Sequence, residues 1–205
     1  HQKVIEESPA TGLSNSLLEQ LQSQAVLATR LINYVGAGTV EFLVADDQVY
    51  FLEMNTRLQV EHPVTEFLTG TDLVEWQLRV AAGEPIPLAQ NEIVRNGHAI
   101  EARICAEDPD AGFLPVSGKV TRLELPVENR QLRIDSGLQL NDEIGIHYDP
   151  LLMKLIVHCP TREEALNEIK NTIENTDIHG VKTNLAYLTR VLSSPDCRAG
   201  RFDTG

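Results

Sequence analysis

The stretch that most constrains this chain runs Phe51-Leu52-Glu53-Met54-Asn55-Thr56-Arg57-Leu58-Gln59-Val60-Glu61-His62-Pro63. From Glu53 to Glu61 every odd position is polar, namely Glu53, Asn55, Arg57, Gln59 and Glu61. The even positions Leu52, Met54, Leu58 and Val60 are apolar, with Thr56 the partial exception. Successive side chains of an extended chain point to opposite faces, so the spacing predicts a strand with one apolar and one polar face. A solvated strand face ordinarily carries Thr, Ser and Lys. This one carries carboxylate, amide and guanidinium groups, which suit a metal–phosphate site: carboxylates hold Mg²⁺ and Arg binds an anion.

A partner carboxylate lies just upstream. Thr39-Val40-Glu41-Phe42-Leu43-Val44 reads as a strand, Asp46-Asp47-Gln48 as a turn, and Val49 onward as the returning strand. With a three-residue loop, Ala45 pairs with Val49 and Glu41 falls opposite Glu53. A two-residue turn puts Glu41 opposite Leu52 instead. Carboxylates opposed on a hairpin repel each other unless a cation lies between them.

The remaining 205-residue chain is ordinary in composition, 42% hydrophobic and 23% charged, and long enough for one large domain or two small ones. A formal net charge of −13 argues against non-specific nucleic-acid or anionic-membrane binding but not against MgATP. Cys105, Cys159 and Cys197 are odd in number and lack a C-x-x-C pair, which points to a reducing compartment without a zinc site. No apolar run approaches the roughly 18–20 residues of a membrane span, and there is no signal-peptide pattern. The chain opens His1-Gln2-Lys3-Val4-Ile5-Glu6-Glu7, strand-like and without an initiator Met, and reads as a piece of a longer polypeptide.

The pattern predicts an α+β chain in two subregions, 1–90 and 91–205. Val4–Glu6 is a short strand. Ser14–Tyr34 is a helix, with Leu17, Leu21, Ala25, Ala28 and Ile32 on one face and Gly36 or Gly38 as its stop. Asp72 caps a second helix, with Glu75 completing an Asp variant of the capping box. Past the polar stretch 85–97, strands are expected at His98–Ile104, Lys119–Leu125, Leu132–Ser136 and Leu152–His158. Thr161 and Glu164 form a capping box for the next helix, and Thr183 caps the last.

Other motifs carry less. Gly36-Ala37-Gly38-Thr39 is neither G-x-G-x-x-G nor a Walker loop. Met153-Lys154 lacks the surroundings of a biotinyl-lysine. The histidines show no metal-ligand spacing. Arg103 by itself reads as the partner of Glu101 or Glu107, and Lys3 equally as an edge charge or a phosphate ligand.

Glu53-Met54-Asn55-Thr56-Arg57-Leu58-Gln59-Val60-Glu61-His62-Pro63-Val64-Thr65-Glu66 resembles the signature of biotin carboxylases, the ATP-grasp component of biotin-dependent carboxylases. The resemblance extends through His1-Gln2-Lys3, Gly36–Phe42, Gly97–Arg103 and Tyr148-Asp149-Pro150, hence essentially the whole chain. Met54, Pro63 and Val74-Glu75-Trp76-Gln77 are more similar to acyl-CoA carboxylases than to pyruvate carboxylases. The biotin-bearing subunit of methylcrotonyl-CoA carboxylase is the nearest in kind.

The resemblance implies the later part of an ATP-grasp domain (1–90) followed by a biotin carboxylase C-terminal domain (91–205). MgATP would phosphorylate bicarbonate to carboxyphosphate, whose CO₂ passes to N1 of biotin on a carrier protein. Glu41 and Glu53 would ligate Mg²⁺ or Mn²⁺, with Asn55 completing a second metal. Arg57 would stabilise the biotin enolate, Gln59 and the Val60 backbone would position bicarbonate, and Glu61 would act as general base. Arg103 would hold bicarbonate or biotin, and His1 and Lys3 would lie by the nucleotide. The implied partners are a biotin carrier domain, a carboxyltransferase subunit and a second copy in a homodimer, in bacterial cytoplasm or the mitochondrial matrix. The family's upstream domain and glycine-rich ATP lid do not appear in these residues, so the chain alone is expected to be nearly inactive. A non-catalytic dimerisation module and a different ATP-grasp ligase are the alternatives.

Overall fold

A computed structural model describes residues 3–201. In chain order its elements are β1 (Ile5–Ser8), α1 (Asn15–Leu31), β2 (Thr39–Ala45), β3 (Gln48–Asn55), α2 (His62–Thr69), α3 (Leu73–Ala81), β4 (His98–Cys105), β5 (Glu107–Asp108), β6 (Leu114–Pro115), β7 (Gly118–Lys119), β8 (Arg122–Glu124), β9 (Leu132–Ser136), β10 (Glu143–Ile144), β11 (Leu151–Cys159), α4 (Arg162–Glu174), β12 (Asp177–His179), α5 (Leu185–Ser193) and α6 (Pro195–Arg198). The chain is α+β. It divides into two compact units, one of residues 10–95 and one joining the N-terminal segment to everything from Asn96 onward.

In the 10–95 unit, Ser14 caps α1 by accepting from the Leu17 amide at 3.2 Å, and Leu17, Leu21, Ala25 and Ala28 form its covered face. The helix ends at Leu31, well before Gly36, because Asn33 takes the left-handed conformation at φ 49°. Gly38 has a different job from stopping a helix. A Cβ there would lie 3.2 Å from the Asn55 carbonyl oxygen and 3.0 Å from Tyr34 Cε1.

The β2–β3 hairpin turns in two residues, Asp46 and Asp47, at φ 50° and 57°, the paired positive values of a tight hairpin turn. A regular ladder from that turn would set Glu41 against Leu52. A β-bulge instead separates the Phe42–Phe51 and Glu41–Glu53 pairs, so the two carboxylates do oppose each other.

The strand then stops at Asn55 rather than running on to Pro63. Proline donates no backbone hydrogen bond and fits the first turn of a helix, and here it opens α2, a helix the sequence reading missed. Gly70, left-handed at φ 67°, ends α2, and Asp72 caps α3 by accepting from the Glu75 amide at 2.7 Å. Glu75 itself pairs with Arg79, four residues on along α3.

The second unit is built on an antiparallel sheet of order β1-β4-β11-β9. One face carries Ile100, Ala102, Ile104, Leu155 and Val157, which join Leu166, Ile169 and Ile173 of α4 and Leu188 and Leu192 of α5 in the core. The expected strand Lys119–Leu125 is split in two. β7 pairs with β10 and β8 with β12.

The capping box on α4 forms as expected, Glu164 N donating to Thr161 Oγ1 and Thr161 N to Glu164 Oε2. At α5 the cap is Asn184, not Thr183. Its buried side chain accepts from Cys105 N and donates to Arg103 O, both at 2.9 Å.

Candidate functional site

Within the 10–95 unit, the end of β3 and the loop before α2 bring most of the predicted residues together. Four of them close a hydrogen-bonded ring. Asn55 Nδ2 donates to Glu41 Oε1 at 2.9 Å, and Arg57 Nη2 donates to Asn55 Oδ1 at 3.3 Å. Arg57 Nη1 donates to Gln59 Oε1 at 3.0 Å, and Gln59 Nε2 returns to Glu41 Oε1 at 3.3 Å. Glu53 joins by accepting from Asn55 Nδ2 at 3.3 Å. The alternating sequence thus marks convergent side chains, but beyond Asn55 a loop rather than a strand converges them.

Gln59 is buried, and its carbonyl accepts from His62 Nδ1 at 2.7 Å. A carbonyl cannot donate, so that ring nitrogen carries the proton. Pro63, Val64 and Leu68 anchor α2 in the unit, and Glu66 accepts from the Leu73 amide at 2.7 Å, which ties α2 to α3. The loop from Arg57 to Glu61 is therefore held at both ends. A cavity of about 230 Å³ opens beside it, lined by Gly38, Thr39, Arg57, Gln59, Glu61 and His62 among others. Val60 is half-buried in the same loop.

Among the described residues, no group of three or more His, Cys, Asp or Glu is disposed to hold a metal ion. Glu41, Glu53 and Asn55 offer two carboxylates and one amide oxygen. A single amide nitrogen lies between the two carboxylates, where a hard cation would neutralise them more fully. That donor chemistry fits Mg²⁺ or Mn²⁺ with its other positions left to phosphate oxygens and water.

Of the remaining predicted residues, Lys3 and Arg103 lie in the second unit. His1 is outside the described residues. Lys3 is exposed, one residue ahead of Val4, whose carbonyl accepts from Arg103 N at 2.9 Å. Arg103 is half-buried on β4 and pairs with Glu6 of β1 at 2.5 Å, a partner the sequence reading did not name. Lys154 is 8% exposed and paired with Asp135 at 3.1 Å, which makes it no candidate for a biotin arm.

Residues 101–205, half of the chain, match the biotin carboxylase C-terminal domain, and residues 1–89 match the ATP-binding domain of the carbamoyl-phosphate synthase L chain. The chain belongs to the biotin carboxylase family. It is 49% identical over its full length to the mitochondrial methylcrotonoyl-CoA carboxylase subunit alpha of Rattus norvegicus, covering 29% of that protein. It is 47% identical to a biotin carboxylase of Halalkalibacterium halodurans and covers 45% of it. The biotin carboxylase domain of Hydrogenobacter thermophilus 2-oxoglutarate carboxylase, solved as a dimer with MgADP, ADP and bicarbonate, superposes with a TM-score of 0.96 at 41% identity. All of this chain and 45% of that one are covered. The chain thus spans less than half the length of these relatives.

Two residues that the sequence reading did not select bear on Arg103, namely Glu6 and Asn184. The adjacent acids Glu6-Glu7 in a predicted strand were the available signal for the first. Asn184 carried none.

Proposed function

We propose that this chain is part of a biotin carboxylase that uses ATP to carboxylate biotin on a carrier protein, in the service of an acyl-CoA carboxylase. The observation that carries the reading is the closed ring of Glu41, Asn55, Arg57 and Gln59 beside the cavity that Glu61 lines. A ring of mutual hydrogen bonds fixes a guanidinium and two amides before substrate arrives, and preorganised donors are what a developing anion requires.

Glu61 accepts the bicarbonate proton as its oxygen attacks the γ-phosphate of ATP. Gln59 and the Val60 backbone hold that bicarbonate in reach. Glu41, Glu53 and Asn55 hold the divalent ions, which neutralise charge on the phosphates when bound. As carboxyphosphate breaks into CO₂ and phosphate, the phosphate takes the proton of biotin N1, Arg57 stabilises the resulting enolate, and N1 takes up the CO₂. Arg103 holds bicarbonate or biotin, and His1 and Lys3 bind nucleotide. Along the sequence the two family matches support a division at 1–90 and 91–205, while in space β1 joins the second unit. The partners are a carrier domain, a carboxyltransferase subunit and a second copy of the enzyme, in bacterial cytoplasm or the mitochondrial matrix.

Bicarbonate-dependent ADP release with free biotin tests the reading. The complete gene product should turn over, residues 1–205 alone should scarcely do so, and Arg57→Ala in the complete protein should lower biotin carboxylation by about 10²–10³-fold. A complete protein indifferent to bicarbonate and biotin would move the site to another ATP-grasp ligase.

A further inference from the structure

The charged face of the β1-β4-β11-β9 sheet sorts its partners in an unexpected way. Glu101 has Lys154 at 3.8 Å, and Lys154 lies 3.1 Å from Asp135. Arg103 has the edge strand on its other side, where Glu6 approaches its Nη2 to 2.5 Å. Glu6 sits opposite Glu101 in the ladder, so it reaches Arg103 along the diagonal of one face, a span that long side chains bridge. Both side chains are largely buried, at 11% and 18% exposure.

The backbone of Arg103 is held as firmly. Its amide donates to Val4 O at 2.9 Å, and its carbonyl accepts from the buried Asn184 at 2.9 Å. A guanidinium is a planar fork of five N–H donors. With the backbone held on both sides, a carboxylate against one terminal nitrogen restricts how the guanidinium can turn and so biases the direction of its other donors. A carboxylate partner also offsets part of the positive charge, so Glu6 does not strengthen anion attraction as such. Its contribution is orientation.

We propose that Glu6 is the positioning residue of Arg103, setting the guanidinium plane toward the bicarbonate or ureido oxygen it receives. This rests on the role given to Arg103 above. It adds that β1, which follows closely on Lys3, supplies the carboxylate that aims a binding residue on β4.

The test uses the complete gene product and four variants: Glu6→Gln, Glu6→Asp, Arg103→Ala and the double variant Glu6→Gln/Arg103→Ala. Each is assayed for kcat and KM toward biotin, bicarbonate and ATP, for equilibrium dialysis of labelled free biotin, and for Tm. Glu6→Gln should lower kcat/KM for biotin or bicarbonate by about 10–100-fold and leave KM for ATP unchanged, as loss of one aimed charge-assisted contact predicts. Glu6→Asp, which keeps the charge on a shorter arm, should recover part of the loss. The double variant should be no worse than Arg103→Ala.

If Glu6→Gln lowers Tm without changing biotin or bicarbonate kinetics, or if the two losses multiply in the double variant, the proposal is overturned. Should Glu6→Gln fail to fold, Glu6→Asp decides by the same split. If Arg103→Ala is itself without effect, the role of Arg103 falls and this proposal falls with it; a defective Arg103→Ala beside a normal Glu6→Gln sinks the proposal alone.

Discussion

Glu7, the neighbour of Glu6 on β1, shows what one carboxylate does when three elements converge on it. It accepts from His98 Nε2 at 2.7 Å and from Arg162 at 2.8 and 3.1 Å. Arg162 also donates to the Cys197 and Arg198 carbonyls at the end of the chain's last helix, both at 2.9 Å. Burial works to raise the Glu7 carboxyl, but the hydrogen bonds from His98 and Arg162 outweigh it and hold it below its ordinary 4.5. A depressed folded-state pKa gives stability that is full above the unfolded value and lost as pH falls through the folded one. Glu7→Gln should therefore cost about 3 kcal/mol near neutrality, as breaking a largely buried pair does, and flatten the loss of stability below pH 4.5. Urea titrations across acid pH compare the two slopes, and equal slopes would remove Glu7 from the acid transition.

Among the elements, caps and strands with their own local signals were legible. The Thr161–Glu164 box, the Asp72 cap and Leu132–Ser136 stand where their residues place them. The opposition of Glu41 and Glu53 was legible too, though the structure reaches it with a shorter turn and a bulge, two changes that cancel. What the sequence did not reveal rests on distant partners. Asn184 caps nothing with its side chain because β4 claims it, and Glu6 finds Arg103 only once β1 has joined the sheet. A Cβ on Gly180, at φ 89°, would lie 1.9 Å from the Lys119 carbonyl oxygen. Gly180→Ala should thus destabilise by about 3 kcal/mol or more, measured as a fall in the urea midpoint. A near-neutral result would mean that the β7–β8 junction yields.

At the scale of the whole molecule the two units are unequally filled. The buried core cluster lies entirely from β4 onward, whereas the 10–95 unit buries few apolar side chains, among them Leu17, Val64 and Leu68. Leu27, Leu31 and Val35 are 57%, 74% and 75% exposed there, and Phe51 is 58% exposed. Hydrogen exchange on residues 1–205 should accordingly find early opening of α1 and the hairpin and slow exchange in β4 and β11. Uniform protection across both units would contradict that ordering.

The enrolment of β1 in the second unit also bears on how this protein may be cut. Strand β4 is paired on one side by β11 and on the other by β1. A clone started at Asn96, where the chain re-enters the second unit, strips β1 away and leaves the β4 backbone donors and acceptors bare along that side. Naked strand edges recruit other strands, so such a clone invites intermolecular sheet growth unless the peptide 3–9 is given back, in cis by a linker or in trans as an added strand.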